Sequence, residues 1–139
     1  EFWAWFSHKY IMHGFLWVLH KDHHFKGHSH KSKQSVFEKN DFFFVIFALP
    51  AIILIFTGIF GGMPSLIFIG VGITLYGAVY FLIHDVVIHR RMRFSYLQKS
   101  KNKYLKSILR AHAAHHIEKG DNSYVSYGLL LFPKKFLNK

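Results

Sequence analysis

The feature that most limits how this chain can fold is a long stretch without any charged side chain, from Phe42 to Ile83. As a single helix rising about 1.5 Å per residue, it would be about 63 Å long, roughly twice the ~30 Å hydrocarbon thickness of a bilayer. The stretch is therefore predicted to cross a membrane twice. The sequence Gly61-Gly62-Met63-Pro64 near its centre is typical of a turn.

The two predicted spans cover residues 42–60 and 64–83. Pro64 suits the first turn of the second span, and Asn40 or Asp41 could cap the first. Two buried helices of a soluble protein are the alternative interpretation, but the length of both segments and their lack of charge count against it. The sequence thus predicts an all-α integral membrane protein.

Histidines flank the two spans in a repeated order. A pair five residues apart and a triplet of spacing HxxHH precede the first span, and the same pair and triplet follow the second. The ten residues are His8, His13, His20, His23, His24, His84, His89, His112, His115 and His116. Because a hairpin returns to the side it left, the two sets are expected to meet on one side of the membrane.

The last triplet indicates how a helix would present these side chains. At about 100° per residue, His115 and His116 fall within roughly 60° of His112, on either side of it. Apolar residues at helical spacing lead into the triplet, which predicts a helix over residues 104–118 that ends near Gly120. Three imidazoles on one face indicate a ligand cluster.

The chemistry open to these residues is narrow. The chain has no cysteine, so imidazole and carboxylate are its strong metal ligands. Ten imidazoles exceed what one metal ion can use, a structural zinc site closes at four ligands, and pH sensing requires no repeated spacing. The pattern favours a dinuclear site with about five histidines per ion, within a single domain of residues 1–139.

Other polar residues near the motifs are candidates for supporting roles. Asp22, Asp85 and Glu118 could each accept a hydrogen bond from the second ring nitrogen of a ligand histidine and so fix its tautomer. Asp22 and Asp85 could equally be solvated surface charges. His28 and His30 lie in a polar loop and are expected to be exposed to solvent.

The distribution of charge predicts the orientation. The formal net charge is +11, and Lys and Arg are concentrated before the first span and after the second, with none at the turn between them. By the positive-inside rule the histidine side is cytoplasmic, forming a helical cap on a transmembrane helix bundle. The basic connector of residues 90–103 indicates orientation or contact with membrane lipids, and no nucleic-acid partner is expected.

Both ends of the chain are apolar. Residues 1–19 suit the cytosolic end of a transmembrane helix, or else a buried amphipathic helix. The sequence begins without an initiator Met, so a truncated N-terminal helix of a longer protein is expected. The apolar tail, residues 124–132, suits either the membrane surface or the mouth of a substrate site.

Longer motifs around these histidines resemble a known family. They are HKYIMHG at residues 8–14, HKDHH at 20–24, FEKND at 37–41, HDVVIHRR at 84–91, YLKSILRAHAAHH at 104–116 and VSYGLLLFP at 125–133. Over nearly its whole length the chain is similar to bacterial β-carotene 3-hydroxylases, which are membrane non-heme di-iron enzymes of the fatty acid hydroxylase superfamily. The loop from Phe25 to Lys39 departs from the family pattern, because it is several residues longer.

The resemblance implies hydroxylation of carbon 3 on each β-ionone ring of β-carotene, giving β-cryptoxanthin and then zeaxanthin. It implies that the ten motif histidines bind two ferrous ions, with no amino-acid acid or base beyond the metal centre. It further implies the use of O2, electrons from ferredoxin and its reductase, and a carotenoid substrate taken from the bilayer of the bacterial inner membrane.

Two other functions fit parts of the pattern. A sterol or fatty-acid hydroxylase or desaturase on the same scaffold is the nearer alternative. A non-enzymatic membrane metal-binding or transport protein is the other, and it is disfavoured because neither predicted span contains a carboxylate or a histidine.

Overall fold

The computed structural model describes residues 1–26, 37–92, 95–117 and 124–137, and within these ranges the regular secondary structure is helical, without a strand, as predicted. The helices are α1 (Phe2–Phe6), α2 (Trp17–Lys26), α3 (Phe42–Phe60), α4 (Pro64–Phe81), α5 (Ser95–Gln98) and α6 (Lys103–His115). Two π-helical segments, Ser7–Phe15 and Leu82–Ile88, directly follow α1 and α4. Short 3-10 turns cover Lys39–Asp41 and Lys134–Phe136.

The helices α3 and α4 form a tightly packed hairpin. A Cβ atom added at Gly58 would lie 2.9 Å from the carbonyl oxygen of Met63, and one added at Gly70 would lie 2.8 Å from that of Ala51. Such small residues let two helix backbones approach closely, as is common between transmembrane helices. At the turn, Gly62 has φ +64°, a conformation that glycine adopts at little cost.

The outer surface of this hairpin is apolar. The most apolar stretches within Lys39–Phe60 and Pro64–Ile88 have mean hydropathies of 2.7 and 2.3, and only 17% and 6% of these stretches are buried. A core helix of a soluble protein would bury most of that surface, because exposing it to water is unfavourable. Both helices are therefore long enough and apolar enough for a bilayer, and they lie within the predicted ranges 42–60 and 64–83.

The predicted helix starts are partly correct. Pro64 lies in the first turn of α4, as expected. Asp41 occupies the N-cap position of α3, but its side chain makes no capping hydrogen bond. Its carboxylate instead binds the guanidinium of Arg91 and the backbone N–H of Glu38.

The helix that carries the last histidine triplet is shorter than predicted. Asn102 caps α6, with its Oδ1 accepting from the backbone N–H of Leu105 at 3.0 Å. The helix ends at His115, and His116 is the C-cap residue, so the prediction of a helix reaching Glu118 is wrong in its last turn. Glu118 and Gly120 lie outside the described residues.

The first 26 residues do not form one continuous helix. Gly14, with φ −99° and ψ −122°, lies outside helical geometry and kinks the chain within the Ser7–Phe15 segment, just before α2. The chain changes direction there. The histidine pair before Gly14 and the triplet after it consequently face the same interior.

Histidines make up much of that interior. Eight of the ten motif histidines are buried, and His13 and His89 are half-buried. Apolar residues such as Met12, Val86 and Ile108 surround them. Because a buried polar group is costly without a partner, a core of imidazoles has to be satisfied by hydrogen bonds or by ligands.

Candidate metal centre

The ten histidines separate into two clusters. The first cluster consists of His8, His13, His20, His24 and His115, whose candidate ligand nitrogens all lie within 4.8 Å of one another. The second cluster contains His23, His89, His112 and His116 within the same distance, and His84 joins it because its Nε2 lies 3.2 Å from that of His23. The clusters adjoin, since the rings of His24 and His116 stack with centroids 4.5 Å apart.

Each cluster takes one histidine from the opposite half of the chain. His115 lies after the hairpin, yet it joins four histidines from before it, and its Nε2 is 3.0 Å from that of His13. His23 lies before the hairpin and joins four histidines from after it. Both are the middle members of their HxxHH triplets. Neither half of the chain can therefore complete a cluster alone.

The two histidine pairs depend on π-helical geometry. Five residues along a regular α-helix turn the side chain by about 500°, so the members of each pair would point about 140° apart. In the structure the N–H of His89 binds the carbonyl of His84 at 3.0 Å, a bond over five residues that widens the turn. The paired rings come within 4.7 Å at His84 and His89 and within 5.1 Å at His8 and His13.

Uncharged acceptors hold the outer nitrogens of His8, His20 and His115 in the first cluster. His8 Nδ1 donates to the carbonyl of Tyr127 at 2.8 Å, and His115 Nδ1 donates to the carbonyl of Val125 at 2.9 Å. His20 Nδ1 donates to the side-chain carbonyl of Asn40 at 2.7 Å. The C-terminal tail thus lies against the first cluster and orients it through backbone groups.

Carboxylates hold outer nitrogens of the second cluster. His23 Nδ1 lies 3.2 Å from Glu38 Oε2, and His84 Nδ1 lies 3.2 Å from Asp85 Oδ2. Both carboxylates are largely buried, with side-chain exposures of 10% for Glu38 and 13% for Asp85. Their charges are therefore only weakly screened by solvent.

One arginine ties these carboxylates into a network. Arg91 donates to Asp41 at 2.7 Å and to Asp85 at 2.9 Å, and the backbone N–H of Glu38 donates to Asp41 at 3.0 Å. The hydrogen bonds to Asp41 raise the pKa of the Arg91 guanidinium well above its usual range. Arg91 therefore stays charged and fixes the carboxylate that orients His84.

Burial favours the neutral form of histidines in both clusters. It lowers the pKa of His20 to about 3 and that of His115 to about 4, and it lowers the pKa of His23 and His112 well below the usual value. Neighbouring imidazoles add to the effect for each of them. Neutral imidazole is the form that binds a metal ion.

The donor set fits two metal ions. In a neutral histidine whose Nδ1–H donates outward, Nε2 carries only a lone pair and cannot donate to another Nε2. Such nitrogens nevertheless face each other, at 3.1 Å between His8 and His20 and at 3.2 Å between His23 and His84. A cation between the lone pairs relieves their repulsion, and imidazole suits iron, zinc, copper and nickel.

The structure brings all ten predicted histidines together, and their role as metal ligands stays a prediction. Asp85 contacts His84, whereas no hydrogen bond joins Asp22 to a histidine among the residues that are described. Glu118, His28 and His30 lie outside the described residues.

Most of the groups that orient the histidines were not among the residues predicted from the sequence. These are Glu38, Asn40, Asp41, Arg91 and the backbone carbonyls of Val125 and Tyr127. The side chains among them lie in the FEKND and HDVVIHRR motifs, which therefore signalled them. The backbone carbonyls could not be identified from the sequence, because every residue type has a backbone carbonyl.

An open groove lies beside the first cluster. Trp5, residues 126–128 and residues 131–133 line it. The ring of Tyr127 lies between this groove and the histidines, with its centroid 5.1 Å from those of both His13 and His115. The apolar tail thus forms part of a cavity next to the candidate metal centre.

Comparisons with known proteins agree with this arrangement. The model of the family described as fatty acid hydroxylase matches residues 1–133. The chain is 41% identical to a protein of Pantoea ananas named beta-carotene hydroxylase, over 91% of this chain and 67% of that protein. It is 42% identical to one of the same name from Pseudescherichia vulneris, over 90% and 66%.

A plant relative matches over a smaller share of its own length. The chain is 41% identical to the chloroplastic beta-carotene hydroxylase 2 of Capsicum annuum, over 97% of this chain but only 42% of that protein. The chain thus spans about two thirds of these bacterial relatives and less than half of the plant one. No solved structure matches it significantly.

Proposed function

The chain belongs to the fatty acid hydroxylase family, and from that premise we propose that it forms the catalytic part of a carotenoid ring hydroxylase. The reaction is hydroxylation of β-carotene through β-cryptoxanthin to zeaxanthin. The observation that carries the proposal is the gathering of ten histidines into two adjoining clusters, in a chain about 40% identical to proteins named beta-carotene hydroxylase.

The clusters would hold one ferrous ion each. When bound, the two ions would supply the activation of O2 and the oxidising power that converts C–H into C–OH. For each hydroxylation, one oxygen atom of O2 enters the product and the other leaves as water, while two electrons and two protons are consumed. The protein's own groups keep the imidazoles neutral, fix their orientation through the outer hydrogen bonds and surround them with buried side chains.

The groove beside Tyr127 is the proposed approach for the ring end of the carotenoid. It borders the first cluster through one aromatic ring, and Trp5, Leu131 and Phe132 give it apolar and aromatic walls. A hydrocarbon ring gains free energy by leaving water for such a surface. The lipid-soluble substrate would reach the groove from the bilayer.

The orientation and the electron supply are part of the proposal. We place the α3–α4 hairpin in the bacterial inner membrane with the histidine clusters in a cytoplasmic helical cap, because the basic residues lie on the histidine side. Exposed Lys101 and Lys103 suit the docking of an acidic ferredoxin. Raising the salt concentration should then slow turnover with ferredoxin, and turnover independent of salt would contradict this docking.

Pigment analysis tests the proposed reaction. Cells that accumulate β-carotene would express the full-length protein, or a variant in which His112, His115 and His116 are all replaced by Ala. Zeaxanthin with the first and unchanged β-carotene with the second is the expected result. Unchanged β-carotene with both proteins, when the membrane contains each and a reductant is present, would contradict it and favour a sterol or fatty-acid substrate.

A further inference from the structure

We propose that the two metal sites are unequal, and that the second cluster is the tighter site, which fills first. The inference rests on the proposed function only in assuming that the clusters bind metal ions. Its basis is the difference between the groups that accept hydrogen bonds from the outer nitrogens of the two clusters.

In the first cluster, every outer acceptor given above is uncharged. His8 and His115 donate to backbone carbonyls, and His20 donates to the amide of Asn40. A neutral acceptor orients the ring but adds no net charge to the site. The imidazoles of the first cluster consequently act as ordinary neutral ligands.

In the second cluster, His23 and His84 donate to carboxylates within the part of the chain that is described. Glu38 accepts from His23, and Asp85 accepts from His84. A carboxylate acceptor draws the Nδ1 proton and raises the basicity of the nitrogen that binds the metal. The positive charge of the ion is also stabilised by two anions that are 10% and 13% exposed.

Arg91 does not cancel this effect. Its guanidinium shares its hydrogen bonds between Asp85 and the further carboxylate of Asp41. Two of the three carboxylates, those of Asp41 and Asp85, contact this one guanidinium, while that of Glu38 lies 3.2 Å from His23. Among these four groups the negative charges outnumber the positive one. Removal of one such outer partner commonly weakens metal binding about 10–100-fold, so Glu38 is assigned as a positioning residue for the second site.

Cobalt titration of the full-length apoprotein tests the proposal, because Co2+ prefers similar ligands and gives visible absorption bands. The wild type should bind two Co2+ ions in two separate steps. Glu38→Gln, which removes one charge with little change in shape, should weaken the tighter step about 10–100-fold and leave the weaker step unchanged. The reciprocal change, Asn40→Asp, gives His20 Nδ1 a carboxylate acceptor and should increase the Co2+ affinity of the weaker step.

Single-ligand variants assign the two steps. His8→Ala should remove the weaker step, and His112→Ala should remove the tighter one. Asp22→Asn is the matched control, because Asp22 is an acid on the same helix as His20 and His23 but has no hydrogen bond to a histidine in the described ranges. It should change neither step.

Two results would overturn the inference. One is a wild-type protein that binds both Co2+ ions with equal affinity, and the other is a Glu38→Gln variant that loses the weaker step instead. Either result would leave the proposed hydroxylation intact if zeaxanthin is still formed. Two unequal cobalt sites without any zeaxanthin would contradict the proposed reaction and support the inference.

Discussion

The first and second clusters draw on the same sequence pattern, one pair and one triplet, and each borrows the middle histidine of the other triplet. They differ in the groups that accept hydrogen bonds from the outer ring nitrogens of their histidines. Backbone carbonyls and the Asn40 amide orient the first cluster, while the carboxylates of Glu38 and Asp85 orient the second. Repetition of a ligand motif therefore does not imply two equivalent sites, since the outer hydrogen bonds set the charge around each one.

The largest effect is expected from the two histidines, His23 and His115, that join the cluster formed mainly by the other half of the chain. His115→Ala should abolish zeaxanthin formation, because it removes a nitrogen that faces His13 in the first cluster. The variant should retain a Co2+ ion whose spectrum matches that of His8→Ala rather than that of His112→Ala. A match to His112→Ala would place His115 with the other members of its triplet, and full activity would remove it from the ligand set.

Acid should destabilise the metal-free protein, because burial favours the neutral form of histidines in both clusters. Burial lowers the pKa of His20 to about 3 and that of His115 to about 4, below the 6.5 of ordinary histidine. At pH values between these lowered pKa values and 6.5, the unfolded chain binds protons that the folded chain does not. The stability of the apoprotein is thus complete above pH 6.5 and declines below it, by about 1.4 kcal/mol per pH unit for each such histidine.

The measurement is the Tm of metal-free protein in detergent at pH 7.5 and at pH 5.5, at one ionic strength. A clear fall in Tm at the lower pH is expected. An equal or higher Tm at pH 5.5 would show that the imidazoles are already protonated or exposed in the folded protein.

The network behind the second cluster can be broken without touching a histidine. Arg91→Gln removes the cation that Asp41 and Asp85 share, and loss of these charged hydrogen bonds should lower stability by about 1–3 kcal/mol. Because Arg91 also holds the carboxylate that orients His84, we expect the loss of this orientation to outweigh the removal of a positive charge and to weaken metal binding at the second cluster and not at the first. The control is Arg90→Gln, since Arg90 is exposed. Equal effects of the two variants on Tm and cobalt binding would contradict this role.

A smaller effect is expected behind the first cluster. Ser126 lies between the two carbonyls that bind His115 and His8, and it has φ +61°, a left-handed conformation that costs about 1–2 kcal/mol for residues other than glycine. Ser126→Gly should therefore raise Tm slightly with cobalt binding unchanged. Ser126→Val should lower Tm and weaken the first site, and a neutral result for Val would show that the backbone there relaxes.

The fold was predictable where the composition allows few solutions. The absence of charge between residues 42 and 83 predicted the α3–α4 hairpin, and Gly62 with Pro64 predicted its turn. The hairpin in turn predicted that the histidines before and after it would meet. Their division between two clusters was not predictable, because the exchange of His23 and His115 depends on how α2 and α6, which carry them, are placed relative to each other.

Two other features of the site are hidden from a sequence pattern. A spacing of five residues between His84 and His89 fits poorly on an α-helix, and only the π-helical turn explains it. Asn40 and Asp41 were interpreted as helix caps, which is the common role of these residue types before a helix. Their side chains instead bind His20 and Arg91, contacts made across the fold.

The most direct test of two five-histidine metal sites is the number of iron ions per chain in full-length protein loaded with Fe2+ without oxygen. The wild type should hold about two, and His8→Ala and His84→Ala should each hold about one, because each removes a histidine from a different cluster. One ion in the wild type, or the loss of both ions through either single change, would contradict two separate sites.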